Sequence, residues 1–88
     1  MSKALAALIV LILPTLVLAD ADCTANPQSE WKSEKEARAK FEGDGYKITQ
    51  FKVSGNCYEI YGFTKDGKKA EIYFDTKTLA IVKSEIED

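Results

Sequence analysis

The sequence has no histidine, only two cysteines and no excess of charge of either sign. Its 88 residues carry 12 lysines and arginines against 14 aspartates and glutamates, a net charge of −2. Without histidine, no Ser-His-Asp or Cys-His arrangement can form, because no other side chain here titrates near neutral pH. Without a basic excess to neutralise phosphates, nucleic acid is not an expected partner. Gly-rich phosphate loops, EF-hand spacing and dinucleotide fingerprints are also missing, so no cofactor is expected.

Carboxylate chemistry is what this composition leaves open to an enzyme. Glu59 and Glu71 both fall in predicted strands and could form an acid/base pair of the kind that glycosidases use. Solvated charges on a strand face are far commoner, and so small a domain has little room to enclose a substrate. We therefore expect a protein that is not an enzyme.

The one long apolar run lies at the start of the chain. Met1-Ser2-Lys3 gives a positive beginning, residues 4–18 are apolar, and Ala19-Asp20-Ala21 has the small-x-small pattern that signal peptidase recognises. We interpret residues 1–21 as a signal peptide, which predicts a periplasmic or secreted protein. The run is shorter than the roughly 20 apolar residues that cross a bilayer, so a retained membrane anchor is the lesser alternative.

Both cysteines, Cys23 and Cys57, lie beyond the signal peptide. An exported chain meets an oxidising compartment, so we expect one intramolecular disulfide, worth about 3 to 4 kcal/mol in the chain-entropy model. A redox-active or metal-binding thiol has no support from a Cys-x-x-Cys motif or a histidine. Residues 22–30 show no periodicity, and we expect an extended lead-in held only by Cys23, followed by a single domain over residues 31–88.

A capping box marks the start of a helix. The Ser33 hydroxyl can accept from the Glu36 amide while the Glu36 carboxylate reaches back to the Ser33 amide. Ala37 and Phe41 are four residues apart and share one face, and the glycines that follow can end the helix.

Segments rich in β-branched and aromatic residues follow this helix, separated by Gly-containing turns. Three are strong and a fourth is weaker: residues 46–53, 57–64, 69–75 and 79–83. The pattern predicts an α+β fold, with one N-terminal helix packed on a three- to four-stranded antiparallel sheet.

The register of the central hairpin can be argued from its loop. If residues 66–67 alone formed the loop, the apolar residues of the two strands would lie on opposite faces. A loop of residues 65–67, with Gly67 left-handed, pairs Ile60 with Ile72 and brings the apolar residues together on one face.

The same register collects aromatic and acidic side chains on the other face of the sheet: Glu59, Tyr61, Phe63, Glu71 and Tyr73. With only one predicted helix, nothing obvious covers this face. One interpretation is a half-solvated face stabilised by cross-strand pairs. The other is a partner-binding patch formed by the three aromatic residues and rimmed by the two glutamates, since tyrosine-rich patches resemble protein interfaces.

Four ordered motifs cover nearly all of the chain after the signal peptide: Trp31-x-Ser33-x-x-Glu36-Ala37, Gly45-Tyr46-x-Ile48, Gly55-Asn56-Cys57-Tyr58-Glu59-Ile60-Tyr61 and Asp66-Gly67-Lys68-Lys69-x-Glu71-Ile72-Tyr73-Phe74-Asp75-x-x-Thr78. As a set they resemble the small exported PepSY domain proteins. The resemblance implies one helix on an antiparallel sheet, and motif residues that are structural, not catalytic. It also implies a relation to metallopeptidase propeptides, which inhibit their enzyme or assist its folding. The family usually has proline or alanine after the aspartate and glycine after the threonine, where this chain has Thr76 and Leu79.

Our leading hypothesis is therefore an exported, non-catalytic binding domain that inhibits, chaperones or regulates an exported peptidase or another envelope protein. Contact would be made through the aromatic patch, or through an exposed strand edge that captures a peptide by strand addition. The alternative of another class is a small-ligand sensor or carrier. Its pocket would be a trough between helix and sheet, where the same register sets Gly62 opposite Ala70 and lets Phe41 approach closely.

Overall fold

A computed structural model describes residues 21–88, so the predicted signal peptide lies outside the described residues except for Ala21. A short 3₁₀ turn at Gln28–Glu30 precedes the main elements, which are α1 (Glu34–Gly43), β1 (Lys47–Ser54), β2 (Cys57–Phe63), β3 (Lys69–Asp75) and β4 (Ile81–Glu87). The strands form one antiparallel sheet in the order β1-β2-β3-β4. The predicted α+β class is confirmed, and the weakly predicted last strand is a full member of the sheet.

Helix α1 begins and packs as its sequence predicts. The Glu36 N–H donates to Ser33 Oγ at 3.1 Å, and the Ser33 N–H donates to Glu36 Oε1 at 3.3 Å, which completes the capping box. Ala37 and Phe41 are fully buried on one side of the helix. The Phe41 ring lies 4.4 Å from the Phe74 ring, centroid to centroid, and so fastens the helix to the sheet.

The hydrophobic core lies between α1 and one side of the sheet, which we call the inner face. Its buried sheet residues alternate along the two central strands and are joined by the residue that precedes β4: Tyr58, Ile60, Ala70, Ile72, Phe74 and Leu79. Tyr58 keeps its polar end satisfied, because its hydroxyl donates to the Lys32 carbonyl oxygen at 2.6 Å.

The β2–β3 hairpin has the predicted register. The Thr64 N–H donates to the Lys68 carbonyl oxygen at 2.8 Å, which encloses a three-residue loop, and Gly67 is left-handed at φ 84°. Ile60 pairs with Ile72 as expected.

Gly62 does pair with Ala70, but the helix does not fill the space beside Gly62 as predicted. A Cβ atom at Gly62 would overlap the Lys47 carbonyl oxygen, so it is the backbone of β1 that approaches closely here. Ala70 is itself part of the buried core. The trough predicted between helix and sheet is therefore occupied at Gly62 by a neighbouring strand.

The segment before the domain is held at more points than expected. Besides Cys23, the Asn26 side-chain amide donates to the Asp75 carboxylate at 3.1 Å, and Trp31 Nε1–H donates to the Asn26 carbonyl oxygen at 2.9 Å. The expectation that Cys23 alone holds this segment is wrong, because Asn26 supplies both a donor and an acceptor to the folded domain.

Asp75 also organises the turn into β4. Its Oδ2 accepts from the Lys77 N–H at 2.9 Å and from the Thr78 N–H at 2.8 Å. Leu79 follows with φ 66°, a left-handed conformation, at the position where the PepSY proteins that the sequence resembles usually have glycine. That conformation costs about 1–2 kcal/mol for a residue with a Cβ. Burial of the leucine side chain, worth about 1.5–3 kcal/mol, offsets it, so the turn forms without glycine.

We predict that Asp75→Ala lowers the free energy of unfolding at pH 7 by about 3 kcal/mol, because several partly buried amide donors lose a charged acceptor. Hydrogen bonds from the backbone of Thr78 hold the pKa of Asp75 below its ordinary value, and those from Lys77 and Asn26 lower it further. This stabilisation is therefore complete above the ordinary aspartate pKa and is lost as the pH falls through the lowered one. Urea unfolding across this acid range measures both effects.

Asp66→Ala, which removes an exposed carboxylate from the other hairpin loop, is the matched control and should change little. Equal unfolding free energies for wild type and Asp75→Ala at pH 7 would contradict this account of the turn.

Candidate functional site

The candidate site is the outer face, the side of the sheet that points away from α1. Two rows of paired residues cross it from β1 to β4: Lys52, Glu59, Tyr73 and Lys83 in one, and Gln50, Tyr61, Glu71 and Glu85 in the other. All five side chains predicted for a partner-binding patch lie on this face, as the register requires. The end near Cys57 we call the closed end, and the end near Phe63 the open end.

At the closed end the start of the described chain folds back over the sheet. Cys23 and Cys57 form a disulfide, with their Cα atoms 5.3 Å apart. The two cysteines and Tyr73 form a buried cluster, against which Ala21 packs. Tyr73 is therefore only 8% exposed. Its prediction as an exposed contact residue is wrong, because the disulfide brings this segment onto the outer face.

Glu59 is likewise not on the rim of an exposed patch. Its side chain is 2% exposed. Lys52 Nζ lies 3.9 Å from Glu59 Oε1, while the buried Oε2 accepts no hydrogen bond from a described residue. Since neighbouring side chains on three strands enclose it, the expectation of a solvated charge is wrong here.

Burial and a neighbouring carboxyl group shift the pKa of Glu59. Burial raises the pKa of Glu59, and a hydrogen bond with Glu71 raises it further. The same hydrogen bond lowers the pKa of Glu71. With these opposite shifts, a proton shared by the pair is held by Glu59, which then donates to the Glu71 carboxylate. A neutral Glu59 can remain in the sheet without the cost of a buried charge.

Two tyrosines complete this group, which we call the Glu–Tyr cluster (Glu59, Tyr61, Glu71 and Tyr73). The Tyr73 hydroxyl donates to Glu71 Oε2 at 2.9 Å. A hydrogen bond with Glu59 is the main cause that raises the pKa of Tyr61, and burial is the main cause for Tyr73. Both phenols therefore stay neutral and act as hydrogen-bond donors. Lys52 lies over the Tyr61 ring, 5.2 Å from its centroid, and adds positive charge at the border of the cluster.

The open end of the outer face contains a depression of about 360 Å³. Aromatic and polar side chains from all four strands line it, among them Gln50, Tyr61, Phe63, Lys69, Glu71, Glu85 and Glu87. Tyr61, Phe63 and Glu71 are half-buried, so their surfaces remain accessible. Of the five predicted residues, these three reach the depression, whereas Glu59 and Tyr73 support it from the closed end.

Glu85 and Glu87 were missed as site residues, because the predicted last strand stopped at residue 83. The structure extends β4 to Glu87 and places Glu85 opposite Glu71 and Glu87 opposite Lys69. The signal was present in the sequence: charged residues at 83, 85 and 87 alternate with Ser84 and Ile86, the period-2 pattern of a strand.

Within residues 21–88, no three or more histidine, cysteine, aspartate or glutamate side chains are grouped so that they could hold a metal ion. No helix in that range has the length and apolarity needed to cross a membrane.

Glu59→Gln should leave the protein at least as stable as wild type at neutral pH, because an amide can donate to Glu71 as a protonated carboxyl does. The raised pKa of Glu59 contributes stability that is complete below the ordinary glutamate pKa and is lost as the pH rises through the raised value. The variant should lack that loss. Urea unfolding midpoints from acid to alkaline pH test this, with Glu87→Gln as the exposed control. A Glu59→Gln protein that is less stable at every pH would show that Glu59 acts as a carboxylate.

Cys57→Ser should lower the free energy of unfolding by about 4 kcal/mol, because the bridge closes a loop with a sequence separation of 34. It should also raise the solvent exposure of Tyr73, since Ala21 and Cys23 are no longer held over its ring. Thermal unfolding and near-ultraviolet circular dichroism measure the two effects. Reductant should have the same effect on wild type and none on Cys57→Ser; an unchanged thermal midpoint in both experiments would count against the bridge.

Comparison with known proteins agrees with this architecture. The family model described as "Peptidase propeptide and YPEB domain" matches residues 3–85, nearly the whole chain. No curated protein matches the chain, and no solved structure does either. The motifs that resemble PepSY proteins, the single helix on an antiparallel sheet and the family match together show that the chain belongs to the peptidase propeptide and YPEB (PepSY) domain family.

Proposed function

We propose that this protein is an exported, non-catalytic domain that binds an exported peptidase or another envelope protein, and inhibits, chaperones or regulates it. The observation that carries the proposal is the depression at the open end of the outer face, where Tyr61 and Phe63 remain accessible. Membership of a family of propeptide-like and regulatory domains supports a protein or peptide as the ligand. The Cys23–Cys57 disulfide fits a protein of an oxidising compartment, periplasmic or secreted.

The lining of the depression favours a basic side chain of the partner. Glu71, Glu85 and Glu87 provide three carboxylates, whereas Lys69 provides the one amine among the lining residues. Tyr61 and Phe63 offer ring surfaces on which an arginine or lysine can stack while it pairs with the carboxylates. We therefore propose that an arginine or lysine on an exposed segment of the partner enters this depression.

The location of Glu59, the carboxyl group with the raised pKa, supports a binding role over catalysis. Glu59, the buried group that holds the proton, is not among the residues that line the depression. A ligand in the depression would meet Glu71, whose lowered pKa keeps it ionised and unable to act as an acid. A general acid must reach the group that it protonates, and Glu59 does not line the depression that a ligand would enter.

The test is quantitative recovery of partners from an envelope extract with wild type, a Tyr61→Ala/Phe63→Ala variant and Val53→Ala. The double variant removes both aromatic walls, and we expect it to weaken binding of the physiological partner at least tenfold. Val53 is 53% exposed but lies away from the depression, so Val53→Ala should bind as wild type does. Each partner that depends on the depression should then be purified and its affinity measured directly, together with its peptidase activity if it has one.

Equal recovery of every partner by all three proteins would refute the depression as the contact site. Glu85→Gln/Glu87→Gln separates the charge from the aromatic contribution, because it should weaken binding and reduce the dependence of binding on salt. Unchanged binding by this variant would refute only the proposal that a basic side chain of the partner enters the depression.

A small-ligand sensor or carrier is the second candidate, and the volume of the depression favours it. About 360 Å³ lies within the range of about 300–1,000 Å³ that is common for ligand pockets. The site would then be the outer depression, not the trough predicted under the helix. Small organic cations that raise the thermal midpoint of wild type, but not of Tyr61→Ala/Phe63→Ala, would favour this candidate.

A further inference from the structure

Strand β4 is an edge of the sheet, since the strand order β1-β2-β3-β4 places it last. Within residues 21–88 no strand pairs with its outer side. An edge strand presents unpaired N–H and C=O groups that can hydrogen-bond to another strand. What this edge can accept depends on which residues point their backbone groups outward and which side chains flank them.

The backbone direction follows from the hairpin. The Thr64 N–H donates to the Lys68 carbonyl oxygen, and hydrogen-bonded pairs alternate along an antiparallel ladder. Ala70 and Ile72 therefore bond toward β2, while Glu71 and Tyr73 bond toward β4. Their partners on β4 use their backbone groups for this ladder, which leaves those of Ser84 and Ile86 pointing out from the edge.

The side chains of β4 divide into an apolar side and a charged side. Ile81, Val82 and Ile86 are 47%, 44% and 43% exposed, the large hydrophobic side chains that α1 does not cover along this strand. Lys83 and Glu85 lie on the outer face, where Lys83 Nζ is 3.3 Å from Glu85 Oε2. Three exposed aliphatic side chains on one free edge strand are typical of an interface.

We propose that β4 pairs with β4 of a second copy of this chain, antiparallel, about a two-fold axis at Ser84. In this register each Lys83 lies opposite Glu85 of the other copy, and each Val82 lies opposite Ile86. Opposite charges thus meet on the outer face and aliphatic side chains meet on the inner side. The outward backbone groups of the two Ser84 residues bond to each other, and the two sheets become continuous.

The charge pattern selects this register over its neighbours. In an antiparallel pair, residues whose backbone groups point out from one edge must face residues of the same kind on the other. The two-fold axis must therefore pass through a residue and not between two residues. An axis at Lys83 would set lysine against lysine, and an axis at Glu85 would set glutamate against glutamate, both unfavourable. An axis at Glu85 would pair Lys83 with Glu87 but keep the glutamates in opposition, whereas the axis at Ser84 pairs each Lys83 with Glu85 and sets no like charges opposite each other.

This dimer does not depend on the proposed function, but it has a consequence for it. A two-fold axis perpendicular to the sheet puts both outer faces on the same side. Glu85 and Glu87 line the depression and belong to the pairing strand, so two depressions would lie near the junction. A dimer would then present two equivalent sites to one partner.

The first test uses charge reversal, with sedimentation equilibrium over a wide concentration range because so small an interface associates weakly. Wild type should dimerise. Lys83→Glu and Glu85→Lys should each raise the dimer dissociation constant at least tenfold, because both cross-strand pairs become repulsive. An equimolar mixture of the two variants should form a heterodimer, and the double variant Lys83→Glu/Glu85→Lys should recover self-association.

Lys83 also lies over the Tyr73 ring, 5.8 Å from its centroid, so the thermal midpoint of each variant is measured alongside. Restored association in the mixture is a result that misfolded variants cannot give. A wild type that stays monomeric at all concentrations would overturn the proposal. Dimers that persist in both charge-reversal variants would also overturn it, since the interface would then lie elsewhere. The same holds if the protein associates only with a peptide and not with a second copy of itself.

The second test maps the axis by cross-linking. Two Ser84 residues facing each other as a hydrogen-bonded pair have Cα atoms about 5.5 Å apart, within the range that a disulfide spans. Ser84→Cys should therefore form a covalent dimer in a glutathione redox buffer. Ile86→Cys is the control: in this register the two residues at position 86 are about 13 Å apart along the strands and should not cross-link. Equal cross-linking by both variants would refute the register.

Discussion

The Cys23–Cys57 bridge determines how the outer face of this sheet is divided. A single helix can cover only one face of a four-stranded sheet, so the other face would otherwise be left to solvent. Because Cys57 points to that other face, the bridge draws Cys23 and Ala21 across it and buries Tyr73. Asn26 and Asp75 hold the same segment at a second point. The outer face thus acquires a closed end that adds to the core and an open end that does not.

The division of the outer face into a closed and an open end also determines the pKa shifts of its acidic residues. Glu59 lies between the two ends, where burial raises its pKa, and the hydrogen bond with Glu71 raises it further while lowering the pKa of Glu71. The arrangement keeps Glu71 ionised at the border of the depression, and it keeps the phenols of Tyr61 and Tyr73 neutral. A buried polar group therefore does two things here. Its carboxyl group takes part in the hydrogen bonds of the Glu–Tyr cluster, and it lowers the pKa of Glu71, the carboxylate that a ligand would meet.

The size of the domain explains why binding sites lie so near structural residues. A small sheet has few positions that are not needed for the core, and β4 shows the result most clearly. Its outer-facing glutamates line the depression, its aliphatic residues remain exposed, and its free edge offers backbone hydrogen bonds. The proposed partner site and the proposed dimer edge share β4, whereas α1 packs against the other edge strand, β1.

The sequence by itself determined the local elements and their pairing. The Ser33–Glu36 capping box, the apolar spacing of Ala37 and Phe41, and the left-handed Gly67 act over a few residues, so the helix, the hairpin and its register could be predicted. It also indicated the family, and it placed Tyr61, Phe63 and Glu71 on the face where the depression lies. Only the tertiary structure decided that Tyr73 and Glu59 are buried, that β1 fills the space at Gly62, and that Leu79 can replace a glycine. Alternation along a strand tells which face a side chain occupies, whereas burial depends on what distant segments are brought over that face.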